Sequence, residues 1–92
     1  MDLRRLRYLV CVAEEGSFTR AARKLNLSQP TLSQQIRDME RELNATLLIR
    51  TAHKVETTEV GELTIDHARR VLAAVSGMQE AVLEYQGLKR AR

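Results

Sequence analysis

A chain of 92 residues, 43% hydrophobic and 29% charged with one Pro and four Gly, has the composition of an ordered, helix-rich domain with at most one appendage. The net charge is +3, and Cys11 is the single cysteine, which excludes an internal disulfide framework and fits a reducing compartment. The longest apolar run, Tyr8 to Ala13, is far short of the about 20 residues of a membrane span; no signal-peptide pattern opens the chain, which argues against export, and a large catalytic cleft is hard to house.

Asp2 followed by Leu3, Leu6, Leu9/Val10 and Ala13 predicts an N-capped amphipathic helix that ends near Glu15, with Gly16 closing it. Ser17 offers a second cap, for a short helix from Phe18 to Leu25 that Asn26 can terminate in a left-handed conformation. Ser28 is a third cap, with Pro30 in the first turn, where its missing N–H costs nothing. The helix it opens carries Leu32, Ile36, Met39 and Leu43 as its buried stripe, with Gln29, Ser33, Gln34, Arg37 and Arg41 on the other faces and Asn44 as its stop.

Leu47–Arg50 and Val55–Thr57, either side of polar Thr51–Lys54, predict a small hairpin that must lean on the helices, because two strands alone are marginal in water. Thr58 then caps a helix predicted from about Glu59 to Gln86, roughly 40 Å at 1.5 Å per residue. Thr64, Ala68, Val71, Val75, Met78, Val82 and Tyr85 alternate spacings of four and three along it, a heptad seam widened by Ile65 and Leu72. A rod of that length cannot be covered by a 58-residue globule, so the seam is expected to pack against a second copy of the chain.

Charge follows the same division. Residues 1–58 hold ten basic and seven acidic residues, residues 59–88 hold two basic and five acidic, and the tail 89–92 adds three basic residues. The basic surplus therefore sits on the first unit and at the extreme end, which permits a polyanionic partner without demanding one. The expected organisation is a globular unit over 1–58, a dimerisation helix over 59–88 and a basic tail over 89–92.

The middle pair of helices is the informative part. Ala21 and Ala22 lack bulk, so the two helices can approach closely, and a three-residue turn between helices at a steep angle is the helix-turn-helix arrangement. In it the second helix projects its polar start, Gln29, Thr31, Ser33 and Gln34, with a width suited to the major groove and glutamines able to pair with adenine. Arg37 and Arg50 are placed to hold phosphates from the flanks, and the hairpin tip with His53 and Lys54 is a candidate wing.

The run Leu6–Val10, Glu15-Gly16-Ser17-Phe18-Thr19, Ala21-Ala22, Leu25, Ser28-Gln29-Pro30, Leu32-Ser33, Gln35-Ile36, Glu40, Leu43, Leu47-Leu48, Arg50, Thr58 and Gly61 resembles the winged helix-turn-helix of LysR-type transcriptional regulators. The resemblance covers about residues 1–65, and the helix after it resembles that family's dimerising linker. It implies a mainly α fold of three helices plus a short β-hairpin wing, and a bacterial cytoplasmic homodimer that binds an inverted repeat in double-stranded DNA. It places Gln29, Pro30, Thr31, Ser33 and Gln34 at the bases, within a recognition helix over 29–42. Ser17, Thr19, Ser28, Gln35, Arg37 and Arg50 would hold the DNA backbone, and the tip around His53 and Lys54 would enter the minor groove. The dimer seam would comprise Ala68, Val71, Leu72, Val75, Met78, Val82 and Tyr85, with tetramers open to a full-length protein.

Three positions depart from the family pattern: Asn44 replaces a usual Gly, Leu48 a common Phe, and His53 a frequent Arg, which shifts the wing contact toward Lys54. Family members continue into a periplasmic-binding-protein-like effector domain, so these residues are expected to be an excised or truncated DNA-binding part without an effector site.

Other polar residues have ordinary explanations. Any one of Arg4, Arg5, Arg7, Arg20, Arg23 and Lys24 is as well explained by solubility as by a phosphate. Cys11 reads as a small core residue. His53 and His67 have no Cys or carboxylate at ligand spacing, so no metal site is expected, and no cofactor. The pairs Glu14–Glu15 and Glu40/Glu42 are expected on solvated surfaces. Without a nucleophile–base pair or phosphate loop, an enzyme is excluded. The competing reading is a protein–protein adaptor that works through the long helix, its winged unit vestigial.

Overall fold

The computed structural model describes residues 1–52 and 54–90, the last two by their backbone. Four helices and one hairpin follow in the expected order: α1 (Leu3–Glu15), α2 (Phe18–Leu25), α3 (Gln29–Leu43), β1 (Leu48–Arg50), β2 (Val55–Thr57) and α4 (Glu59–Arg90). Each early boundary has a local cause. The side chains of Asp2, Ser17 and Ser28 accept hydrogen bonds from the backbone N–H of Arg5, Arg20 and Thr31, satisfying donors that the first turns of α1, α2 and α3 leave without partners. At the other ends Gly16, Asn26 and Asn44 adopt left-handed conformations with φ of 65°, 60° and 50°. Asn44 thus does the work of a C-terminal glycine.

The core is mostly aliphatic and draws on all four helices and β1. Leu9 and Val12 of α1, Phe18, Ala21 and Ala22 of α2, and Leu32, Ile36 and Met39 of α3 are buried together with Leu47, Leu48 and Ile65. Ala21 and Ala22 supply the short side chains that let α2 sit close to its neighbours. The expected stripe on α3 ends one turn early, because Leu43 is 42% exposed. Glu40 is half-buried rather than solvated: its Oε2 accepts the amides of Leu47 at 2.7 Å and Leu48 at 3.3 Å. That single carboxylate fastens the start of β1 to α3.

The strands pair antiparallel, with Leu48 opposite Thr57, Ile49 opposite Glu56 and Arg50 opposite Val55. Thr51 N–H donates to the Lys54 carbonyl at 2.9 Å and closes the turn between them. Leu48 points inward, so the hairpin is held by the globule it leans on.

Thr58 caps α4, accepting from the N–H of Gly61 at 2.9 Å, while its own hydroxyl donates to the Thr46 carbonyl at 2.6 Å. Gly61 is required by close approach: a Cβ there would lie 2.0 Å from the Leu47 carbonyl oxygen. From this root α4 runs 32 residues, about 48 Å, in a molecule with a longest extent of 59 Å. It is longer than expected and takes in Lys89 and Arg90 of the basic segment. Its first turns belong to the globule, since Gly61, Ile65 and Ala68 are buried and α1 packs against it.

Candidate nucleic-acid interface

The start of α3 is an exposed polar surface of the globule. Gln29, Pro30, Thr31 and Gln34 are exposed. Ser33 is not among them, and its expected place on the open face is corrected: it is only 5% exposed, with its Oγ accepting from Arg50 Nη2 at 2.9 Å. Ser33 lies one step around the helix from Leu32, on the flank that the hairpin covers.

Arg50 makes that cover. Its guanidinium lies 3.8 Å from the centroid of the Phe18 ring while it bonds Ser33, so one side chain of β1 grips both α2 and α3. The ring was invisible as a functional partner in the sequence, where Phe18 reads only as the start of a helix and a part of the family motif. Beside Arg50 a groove of about 420 Å³ opens between the helices and the hairpin, lined among others by Ser17, Thr19, Gln29, Thr51 and Lys54. The N-termini of α2 and α3 both border it. Backbone N–H groups, hydroxyls and two cations thus converge on one concavity, an arrangement that favours a phosphate.

The remaining expected contacts are placed unevenly. Thr19 is exposed and uncommitted among the hydrogen bonds described, whereas Ser17 accepts from Arg20 N–H and keeps its own proton to donate. Ser28 is occupied twice, accepting from Thr31 N–H and donating to Thr31 Oγ1 at 2.7 Å, so it serves the cap first. Gln35 is half-buried and its Oε1 accepts from Arg5 Nε at 2.8 Å, which ties α1 to α3. Arg37 is exposed beside Gln34. Lys54 is exposed and paired with Glu56 at 3.0 Å. His53 lies outside the described residues.

Asp38 is absent from the sequence expectations, and Arg5 enters them only as a solubilising or phosphate-binding charge. Asp38 lies one turn beyond Gln34, a spacing at which helix side chains meet, and that spacing was the signal available. Arg5 approaches Asp38 at 3.7 Å and Glu42 at 3.9 Å, and the terminal amine of Met1 reaches Glu42 at 2.9 Å. The back of α3 is therefore fixed to α1, and its polar front is left to face outward.

The expected seam on α4 is open in part. Ala68 is 1% exposed on the side turned toward the globule, which corrects it as a member of an open seam, and Leu72 is half-buried. Val75 is also half-buried. The exposed apolar residues form a stripe on the adjoining flank, about a quarter-turn round the helix, at Val60, Leu63, Val71, Met78 and Tyr85, with Val82 at its margin. Val71, Met78, Val82 and Tyr85 of the expected seam lie on this exposed stripe, while Ala68 belongs to the face that packs on the globule.

Cys11 is half-buried, and burial pushes its thiol up from the ordinary range, as a core residue requires. Among the described residues no three His, Cys, Asp or Glu side chains gather as metal ligands, and no helix is long and apolar enough to cross a membrane.

Residues 3–62 match the family model of bacterial regulatory helix-turn-helix proteins, lysR family. The chain is 51% identical over 81 residues to a probable cat1 operon transcriptional activator of Acinetobacter lwoffii, covering 88% of this chain and 27% of that protein. It is 49% identical over 75 residues to the HTH-type transcriptional regulator AlsR of Bacillus subtilis, covering 82% and 25%. The chain thus spans about a quarter of the length of these relatives. Among solved structures it is similar to the BenM DNA-binding domain in complex with benA site 1 DNA, with a TM-score of 0.88 and 44% identity over 92% of this chain and 96% of that one.

Proposed function

This chain belongs to the lysR family of bacterial regulatory helix-turn-helix proteins, and from that premise we propose that it binds specific duplex DNA to regulate transcription, as a homodimer on an inverted repeat. The single observation that carries the reading is the exposed polar start of α3 beside a groove suited to a phosphate. With α3 in the major groove, Gln29, Pro30, Thr31 and Gln34 reach base edges. Ser17, Thr19, Arg37, Arg50 and Lys54 hold backbone phosphates, and the hairpin is the wing. Phosphate contacts supply most of the affinity and set the register, whereas the glutamines discriminate. Residues 1–58 form the DNA-binding unit, and α4 is the linker that pairs two copies through the stripe containing Val71, Met78 and Tyr85. Its place of action is the bacterial cytoplasm, where the DNA lies. The family and its named relatives are transcription regulators, not enzymes.

Selection of bound fragments from randomised duplexes, followed by titration of the selected and a scrambled duplex across a salt series, tests this. Binding to both should fall steeply with salt, with a preserved margin for the selected sequence. Gln29→Ala should cost about 1–3 kcal/mol on the selected duplex and flatten the preference at one base pair. Weak binding with no selected sequence would overturn the reading and favour an adaptor working through α4.

A further inference from the structure

The outward face of α3 carries a ladder of side-chain hydrogen bonds that phosphate binding does not require. Gln34 Nε2 donates to Asp38 Oδ1 at 2.8 Å, and Arg37 Nη2 donates to Gln34 Oε1 at 3.2 Å. Arg41 Nη2 donates to the same Asp38 oxygen at 3.0 Å, and Arg5 of α1 lies 3.7 Å from the other. A carboxylate can only accept and a guanidinium can only donate, so these neighbours dictate which end of the Gln34 amide points which way. A glutamine without them could present either end. The carboxylate is also out of place electrostatically, because a negative charge beside the reading surface repels phosphates.

We propose that Asp38 is a specificity-determining positioning residue, which, with Arg37, holds the Gln34 amide in one orientation toward the base it reads. This inference rests on α3 being the recognition helix. Held at both ends, the amide retains one N–H to donate and one carbonyl lone pair to accept. That pair complements adenine, which accepts at N7 and donates from N6. Guanine offers acceptors at both N7 and O6, so the fixed Gln34 carbonyl oxygen meets another acceptor and the pairing is lost. Turning the amide to escape would break the bonds to both Asp38 and Arg37. Asp38 trades affinity for discrimination, and it does so without touching a base.

The experiment measures binding of the 92-residue chain to duplexes selected from a randomised library, to the same duplexes changed at one base pair, and to scrambled duplex. Gln34→Ala identifies the base pair that Gln34 reads. Asp38→Ala should shrink discrimination at that same base pair about tenfold, or about 1.4 kcal/mol, while binding to scrambled duplex tightens twofold or more. Asp38→Asn keeps an oxygen acceptor and loses the charge, so it should retain the discrimination and share the tighter scrambled binding. Thermal melts of each variant report folding, and a merely structural role would weaken binding to all duplexes together. Discrimination untouched by Asp38→Ala, or lost equally in Asp38→Asn, overturns the inference. So does a further loss when Asp38→Ala is added to Gln34→Ala, since Asp38 would then contact a base itself. A consensus indifferent to Gln34 overturns this inference and leaves α3 in the groove; no consensus at all overturns both.

Discussion

The globule and the far half of α4 are made of the same kinds of residue and treat them in opposite ways. In the globule Leu9, Leu32, Met39 and Leu47 are fully buried; along α4 Met78, Val82 and Tyr85 are between 50% and 61% exposed. The first set is covered by its own chain. The second has the periodicity of a buried face, and among the described residues no segment covers it. Apolar pattern therefore reports the need for a partner surface, and only the reach of the fold decides whether that surface comes from the same molecule.

Substitutions on the two sides should separate this cleanly. Leu32→Ala leaves a cavity where three helices meet and should cost about 2–5 kcal/mol in urea unfolding, enough to threaten the fold. Gly61→Ala drives a methyl into the Leu47 carbonyl, a backbone atom with little freedom to yield, and should cost about 1–3 kcal/mol by the same measure while loosening the root of α4. On the far side, Met78→Arg should weaken self-association at least tenfold in sedimentation, about 1.4 kcal/mol or more, with the unfolding of the globule unchanged. A dimer that persists would move the interface elsewhere. Gly77→Ala is the smallest and has the opposite sign to Gly61→Ala: nothing lies within 4 Å of the added methyl, so helix propensity should stabilise α4 by about 0.5–1 kcal/mol. Loss of the dimer on the same substitution would show that two helices pass each other at Gly77.

What could be read in advance was local. Asp2, Ser17, Ser28 and Thr58 announce helix starts, and Gly16, Asn26 and Asn44 announce ends, because a cap is settled within a few residues of itself. The failures are all long-range. Ser33 was assigned to the open face because its own helix leaves it at the edge of the stripe, and the arginine that encloses it comes from 17 residues away. Ala68 was assigned to the seam because a heptad has no memory of which of two sides meets α1. Leu43 fits the period of α3 but stands where that helix has outrun the elements that pack on it. Glu40 resembled any surface carboxylate until the chain turned back and brought two unpaired amides to it.

The grip of Arg50 on Phe18 and Ser33 carries a thermodynamic consequence for the hairpin. A pair of three-residue strands would ordinarily sample many poses, and freezing it against a ligand would draw down the free energy of association. Anchored on an aromatic ring and a buried hydroxyl, it has already surrendered that freedom during folding. The entropy is spent once, when the chain is made, and not again at every encounter.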